Sequence, residues 1–150
     1  MKDARLRQPI EDDYAHALGV ATFCFAICEW NAVYCAQLIK PGSLQRFVKD
    51  ELTAGRIAKK LSDLVRNMPK SKDRDELQAA ADEFAKLVPL RNCILHGKPC
   101  SNEDGKARLS SKKIFEVADL EDAADKFSNC SHELNRLLHG FLDTYQPPST

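Results

Sequence analysis

The chain has 150 residues, of which 43% are hydrophobic and 29% are charged, a composition typical of a globular protein with a single core. Lys and Arg together number 22, as do Asp and Glu; this balance excludes a uniformly basic surface that would bind nucleic acid in bulk. Six cysteines occur without a Cys-x-x-Cys pair, so we expect reduced thiols in a cytoplasmic protein rather than the disulfide scaffold of a small secreted domain.

The predicted organisation is one helical domain over residues 12–145, with a flexible N-terminal arm at 1–11 and a disordered tail at 146–150. The first helix of this domain should run over residues 12–39, ended by the Pro-Gly pair that follows. Apolar side chains lie nearly all round this helix, so it must be covered on more than one side. A second copy of the chain would supply that cover, which predicts a homodimer.

The same helix is long and apolar enough to be weighed as a membrane span. Polar residues are spread through it, which disfavours a lipid environment and favours a buried core helix. These residues are His16, Glu29, Asn31 and Gln37.

The second predicted helix begins near Thr53 and ends before Pro69, and residues 44–52 lead into it as a helical turn. Its polar side is basic and carries Arg56, Lys59, Lys60 and Arg66. A solvated face is the favoured interpretation of this side, with an RNA-facing patch as the alternative.

The third predicted helix starts at a capping box formed by Asp73 and Glu76. Pro89 lies inside its apolar pattern, and a proline lacks the amide hydrogen that the helix needs, so we expect a kink over residues 85–89. The segment Leu-Arg-Asn-Cys-Ile-Leu-His-Gly then follows at residues 90–97, where Gly97 is expected to end the helix.

Residues 97–117 are predicted to be a loop with a short hairpin at the Asp104-Gly105 turn, and the fourth helix begins at Asp119. The sequence therefore predicts an all-α protein of the up-and-down four-helix-bundle class. Its third helix would be kinked, and a short hairpin-like loop would precede the fourth.

The candidate catalytic residues are Arg91, Asn92 and His96. An arginine can bind a phosphate through two hydrogen bonds and stabilise the charge that grows on it, and a histidine can transfer protons near neutral pH. Asn92 and His96 are four residues apart and share a helix face, so the amide could fix the imidazole tautomer. No metal or cofactor is expected, because RNA can supply its own 2′-hydroxyl as the nucleophile.

The surroundings of this segment are locally basic. Residues 86–113 carry seven Lys and Arg against Glu103 and Asp104, five net positive charges in a neutral chain. We therefore predict that Lys98, Lys106 and Arg108 bind the RNA backbone. The cysteines nearby and on the first helix are interpreted as core residues rather than as a thiol nucleophile or metal ligands.

A helical chain with Arg-Asn-x-x-x-His-Gly near the end of its third helix resembles the HEPN domains of prokaryotes, whose shared motif is an Arg, four to six residues and a His. The resemblance covers roughly residues 12–142 in helix order, and its specific part is the motif at Arg91, Asn92 and His96. It implies a metal-independent endoribonuclease in which two chains join their motifs in one cleft.

In that family pattern, Arg91 would bind and polarise the scissile phosphate, His96 would act as acid or base, and Asn92 would orient the site. Cleavage would leave a 2′,3′-cyclic phosphate. The resemblance also implies a toxin or phage-defence role with an antitoxin partner of the nucleotidyltransferase type. The alternative is a non-catalytic helical module that binds a nucleotide, RNA or a protein in the same cleft, with Arg91 and Asn92 in structural roles.

Overall fold

The structure is a computed structural model that describes residues 9–147. Most of the predicted N-terminal arm, residues 1–8, and most of the predicted tail, residues 148–150, lie outside the described residues. Five helices occur in chain order: α1 (Asp12–Ile39), α2 (Ser43–Lys49), α3 (Ala54–Arg66), α4 (Lys72–Leu95) and α5 (Val117–His139). The structure therefore confirms that the chain is mostly helical. Helix α2 adds a short fifth helix where a single turn was expected.

A small antiparallel sheet lies between α4 and α5. Its strands are β1 (Lys98–Ser101), β2 (Ala107–Ser110) and β3 (Ile114–Phe115), in the order β1-β2-β3. The hairpin predicted around Gly105 is present, and Gly105 takes a positive φ of 74° in its turn. β3 pairs with β2, so the region is a three-stranded sheet. The sequence predicted only a loop with one hairpin.

Helix α1 is the central element of the fold. It makes its most extensive contacts with α5 and also packs against α3 and α4. Polar bonds fix its register on α5, because the Asn31 side chain donates to the Ser131 backbone oxygen (3.2 Å) and hydroxyl (2.9 Å). By length and composition α1 is also the one helix among residues 9–147 that could cross a membrane.

Three phenylalanines join α1, α4 and α5 at the centre of the core. Phe25 stacks on Phe84 with ring centroids 5.8 Å apart, and it meets Phe127 edge-on at 5.1 Å. All three side chains are buried. Such aromatic pairs combine large buried area with a preferred ring geometry, so they hold the three helices in fixed relative positions.

Helix beginnings differ from the predicted ones. Helix α4 is capped by Ser71, whose hydroxyl accepts from the Arg74 amide (3.1 Å), and not by Asp73. Helix α5 begins two residues before Asp119, because Glu116 is its cap and Asp119 completes a capping box with it.

The ends of the domain also differ from prediction. Glu11, which was assigned to the flexible arm, is the N-cap of α1, and Ile10 packs against the core. Helix α4 is continuous through Pro89 and ends where predicted, at the residues before Gly97. The kink at Pro89 remains a prediction.

Candidate active site

Arg91 lies in a pocket between α1, α4 and α5. The pocket has a volume of about 100 Å³ and is lined by the following residues: Ala21, Thr22, Phe25, Ala26, Glu29, Arg91, Ile94, Leu95 and Phe127. The Arg91 guanidinium carbon is 5.4 Å from the centre of the Phe25 ring, an arrangement in which the ring face attracts the cation. The central phenylalanine cluster therefore forms the support on which the guanidinium rests.

Asn92 holds the guanidinium rather than the imidazole. Its side-chain oxygen accepts a hydrogen bond from Arg91 Nη1 at 2.9 Å. Asn92 was predicted to bond to His96, and no such bond is present among residues 9–147; the amide fixes the arginine instead. Arg91 Nε is buried and has no acceptor within residues 9–147, so this part of the chain leaves a donor in the pocket unused.

His96 is the C-cap residue of α4 and its side chain is exposed. Its backbone amide still donates to the Asn92 carbonyl (3.0 Å), so the residue is held by the last helical turn while its imidazole faces solvent. On an ideal helix, five residues separate two side chains by about 140° and ~7.5 Å. Arg91 and His96 thus lie on different sides of the same helix end.

Gly97 is required by a close approach. A Cβ atom at this position would lie 3.0 Å from the Leu109 Cβ and 3.2 Å from the carbonyl oxygens of Cys93 and Ile94. The glycine lets β2 pack directly against the end of α4. Gly97 does not need a positive φ for this role, since the positive-φ glycines of the described chain are Gly42 and Gly105.

The three predicted RNA-binding cations have different surroundings. Lys98 is exposed on β1, consistent with the predicted role. Lys106 is bound to Glu11 at 3.0 Å. Arg108 is 6% exposed, with its Nη1 on Glu11 (3.1 Å) and its Nε on Glu116 (2.6 Å). The structure therefore gives Arg108 an internal role in place of the predicted contact with RNA.

This buried arginine joins the sheet to two helix beginnings. Its guanidinium carbon lies 4.7 Å from the centre of the Tyr14 ring, and the Tyr14 hydroxyl accepts from the Leu109 amide at 2.9 Å. The hydrogen bond from Arg108 lowers the pKa of Glu116, and the pKa of Glu11 is lowered mainly by its hydrogen bond with Lys106. The group is an ion-pair network that fixes the sheet on α1 and α5.

The predicted basic surface is largely neutralised. Four of the seven cations in residues 86–113 are ion-paired; they are Lys86, Lys106, Arg108 and Lys113. Arg91, Lys98 and Lys112 have no ion pair within residues 9–147. The cations available to a phosphate backbone are therefore Lys98 and Lys112, which lie at the same end of the sheet, and Arg91 in its pocket.

Glu29 is the residue of this pocket that sequence reasoning missed as part of the site. It is half-buried on α1 and lines the same pocket as Arg91. Burial raises the pKa of its carboxyl, and the charge of Arg91 acts in the opposite direction. The available signal was its isolation, since Glu29 is the one formally charged residue of the chain between Asp13 and Lys40.

An apolar stripe along the outer side of α1 is left uncovered by the part of the chain that the structure describes. Its residues are Val20, Phe23, Ile27, Trp30 and Tyr34, all exposed, with Phe23 the most exposed at 67%. Their spacing alternates between three and four residues, which is the pattern of a helix seam that pairs with another helix. We call this set the α1 stripe.

The pocket residues of α1 lie between its buried side and the α1 stripe. Thr22, Ala26 and Glu29 form a row that is about 100° of helix rotation from Phe23, Ile27 and Trp30. A partner helix seated on the stripe would therefore border the Arg91 pocket.

No group of three or more His, Cys, Asp or Glu that could hold a metal ion is present in the part of the chain that the structure describes. Comparison of the chain with protein-family models, with curated proteins and with solved structures finds no match.

Proposed function

We propose that the protein is a metal-independent endoribonuclease of the HEPN type that acts as a homodimer. The HEPN assignment and the finer description of the fold as an up-and-down four-helix bundle with a kinked helix rest on the resemblance of the motif. So do the toxin or phage-defence role, the nucleotidyltransferase-type antitoxin and the cytoplasmic location.

The observation that carries the proposal is the state of Arg91. Its guanidinium is held in a small pocket by the Phe25 ring and the Asn92 amide, and Nε has no acceptor there. A cation held in a fixed position with unused donors suits a phosphate whose negative charge increases during reaction, because no reorganisation is then needed. His96 is exposed one helical turn further on and can exchange protons with solvent or substrate.

The α1 stripe supports the dimer. A two-fold interface uses the same patch on both copies, and a stripe of large apolar residues with regular spacing is self-complementary in this way. A second copy on the stripe would bring two Arg91 pockets to the borders of one interface. One histidine contributes about 10²–10⁴-fold to a proton transfer, so a site that combines groups from two chains would be the more effective nuclease.

The second candidate is a binding module without catalysis. It is favoured by one observation, the neutralisation of most cations near the site, which leaves little surface to hold a long RNA. In this case the pocket would take a nucleotide, RNA or a protein side chain, and Arg91 would recognise rather than activate it.

The test is cleavage of total bacterial RNA by purified protein in the presence of EDTA. Wild type should produce discrete fragments that end in a 2′,3′-cyclic phosphate, and Arg91→Ala and His96→Ala should produce none. Arg56→Ala, on the basic side of α3, is the matched control and should cleave like wild type. Intact RNA in every lane, from protein shown to be a folded dimer, would support the binding module instead.

A further inference from the structure

Glu29 occupies an unusual position for a carboxylate. It stands alone on an apolar helix, half-buried, where a charge costs free energy unless a partner compensates it. No hydrogen bond or ion pair of its carboxylate is present among residues 9–147, although Arg91 lines the same pocket. A glutamate with a purely structural role would be expected to close an ion pair with the arginine.

The two opposite charges therefore share a pocket without neutralising each other. Among residues 9–147, Arg91 donates from Nη1 to Asn92 and has no acceptor for its buried Nε, and no hydrogen bond reaches the Glu29 carboxylate. A ligand that satisfies both must present an acceptor and a donor close together. In RNA the scissile phosphate and the adjacent 2′-hydroxyl are such a pair, and the 2′-hydroxyl is the group that distinguishes RNA from DNA.

The surroundings of Glu29 suit proton transfer. Phe25 and Phe127 form the apolar floor of the pocket, and burial raises the pKa of the Glu29 carboxyl toward the range in which a carboxylate is an effective base. The Arg91 charge counteracts this shift, so the carboxyl can still lose its proton. Enzymes that separate an acid from a base place the two groups in different environments; here Glu29 is half-buried and His96 is exposed.

We infer that Glu29 is the general base of the ribonuclease and that His96, from the same chain or from its partner, is the general acid. This inference rests on the proposed function. The Glu29 carboxylate takes the proton of the 2′-hydroxyl as the 2′-oxygen forms a bond to phosphorus. The bond from phosphorus to the 5′-oxygen breaks, and the His96 imidazolium gives its proton to that oxygen. The products are a 2′,3′-cyclic phosphate and a 5′-hydroxyl, and Arg91 binds the phosphate throughout.

The experiment uses two short oligonucleotides with a single ribonucleotide at the cleavage site. In one the leaving atom is the natural 5′-oxygen; in the other it is a bridging 5′-sulfur, which leaves as a thiolate without needing an acid. The sulfur substrate should therefore restore the cleavage activity of a variant that lacks the general acid. It should not restore the activity of a variant that lacks the general base. Wild type, Glu29→Gln, Glu29→Asp and His96→Ala are compared in EDTA, with the exposed Glu121→Gln as the matched control.

We expect Glu29→Gln to lower kcat at least 100-fold on both substrates with little change in KM. Glu29→Asp should recover part of this loss because it keeps a carboxylate. His96→Ala should be inactive on the oxygen substrate and active on the sulfur substrate. Glu121→Gln should behave as wild type.

The inference is overturned if Glu29→Gln retains wild-type kcat, or if the sulfur substrate restores its activity. A loss confined to KM would also overturn it, because it would make Glu29 a residue that only positions Arg91. These results differ from failure of the proposed function, in which wild type itself would leave both oligonucleotides intact.

Discussion

At the scale of single residues, the site combines groups that the protein leaves unsatisfied. Within residues 9–147, Arg91 is held from two sides yet keeps an unused donor, and Glu29 is half-buried with no hydrogen bond or ion pair to its carboxylate. Both arrangements cost stability, and such costs concentrate where a protein binds or reacts. The motif alone indicated Arg91, Asn92 and His96. The local pattern shows Glu29 as an isolated charge but could not place it beside Arg91, because α1 approaches α4 only in the folded chain.

The first prediction concerns the stability of Glu29→Gln. Burial raises the pKa of Glu29 from its ordinary value of 4.5. Because the pKa is higher in the folded state, the protonated Glu29 carboxyl contributes to stability when the pH is below the ordinary pKa. This stability is lost as the pH rises through the pKa of the folded state. At pH 7 the ionised carboxylate therefore destabilises the fold, and the neutral amide should not.

We accordingly expect Glu29→Gln to have a higher melting temperature than wild type at pH 7. The difference should shrink toward pH 4, where the wild-type carboxyl is protonated. Thermal unfolding followed by circular dichroism at the two pH values measures this. A variant that is less stable than wild type at pH 7 would show that the carboxylate is structurally satisfied.

At the scale of elements, much of the fold follows from helical periodicity. The bounds predicted for α1 match the structure, and α3 and α4 lie where their apolar spacing placed them. Strands β1 to β3 are too short to show an alternating pattern. Their positions depend on contacts with distant residues, such as the bond between Tyr14 and Leu109. For the same reason a local charge count placed Arg108 on the surface, since its carboxylate partners come from two other elements.

The second prediction tests the role assigned to Arg108. Arg108→Met keeps much of the packing on Tyr14 but leaves Glu116 without its cation and Glu11 with Lys106 alone, so we expect the melting temperature at pH 7 to fall by several degrees. Arg108 is the main cause of the lowered pKa of Glu116 and a lesser cause, after Lys106, of the lowered pKa of Glu11. Its contribution is therefore present above their ordinary value of 4.5 and is lost as the pH falls through the lowered values.

Arg136→Met is the matched control for this substitution. Arg136 also bonds two glutamates, but its side chain is 54% exposed, and exposed ion pairs contribute little. Its melting temperature should stay close to that of wild type. Equal losses in the two variants, or a loss for Arg108→Met that does not diminish as the pH falls below 4.5, would contradict the network.

The third prediction concerns the junction of α4 and the sheet. In Gly97→Ala the added methyl group would meet Leu109 at 3.0 Å and two backbone oxygens at 3.2 Å, so the end of α4 or β2 must shift. Overpacking of this kind costs about 1–3 kcal/mol, and the shift should also lower cleavage because His96 is the preceding residue. Chemical denaturation measures the change in the free energy of unfolding.

Gly55→Ala provides the comparison for Gly97→Ala. The nearest atom to an added methyl group at Gly55 is Val88 Cγ1, at 4.0 Å, and the residue lies in α3. Alanine should therefore be neutral or stabilise the protein by about 0.5–1 kcal/mol. If Gly97→Ala is as stable as Gly55→Ala, the close approach does not constrain this junction.

At the scale of the whole molecule, the uncovered α1 stripe and the Arg91 pocket are neighbouring features of one surface. The stripe is formed by the same helix that supplies Thr22, Ala26 and Glu29 to the pocket. A dimer is predicted because apolar side chains lie nearly all round α1. In the structure the α1 stripe is the part of this apolar surface that stays exposed. Assembly and the site are thus expected to be linked.

The fourth prediction tests this link. Phe23→Glu places a charge in the α1 stripe, where the side chain is 67% exposed and contributes little to the monomer core. We expect a folded monomer with no cleavage activity, as measured by analytical ultracentrifugation and the EDTA assay. Val48→Glu, which changes a 59% exposed residue on α2, should remain an active dimer. If Phe23→Glu is a monomer and still cleaves RNA, cleavage does not depend on the dimer and the prediction is wrong.

Mixing of two inactive variants tests whether two chains contribute Arg91 and His96 to one metal-free cleft. Arg91→Ala and His96→Ala are unfolded together, refolded as mixed dimers and assayed on RNA in EDTA. Each mixed dimer can pair an intact Arg91 of one chain with an intact His96 of the other, so we predict cleavage well above that of either variant alone. Mixed dimers as inactive as their parents, beside an active wild type, would contradict a site shared between chains.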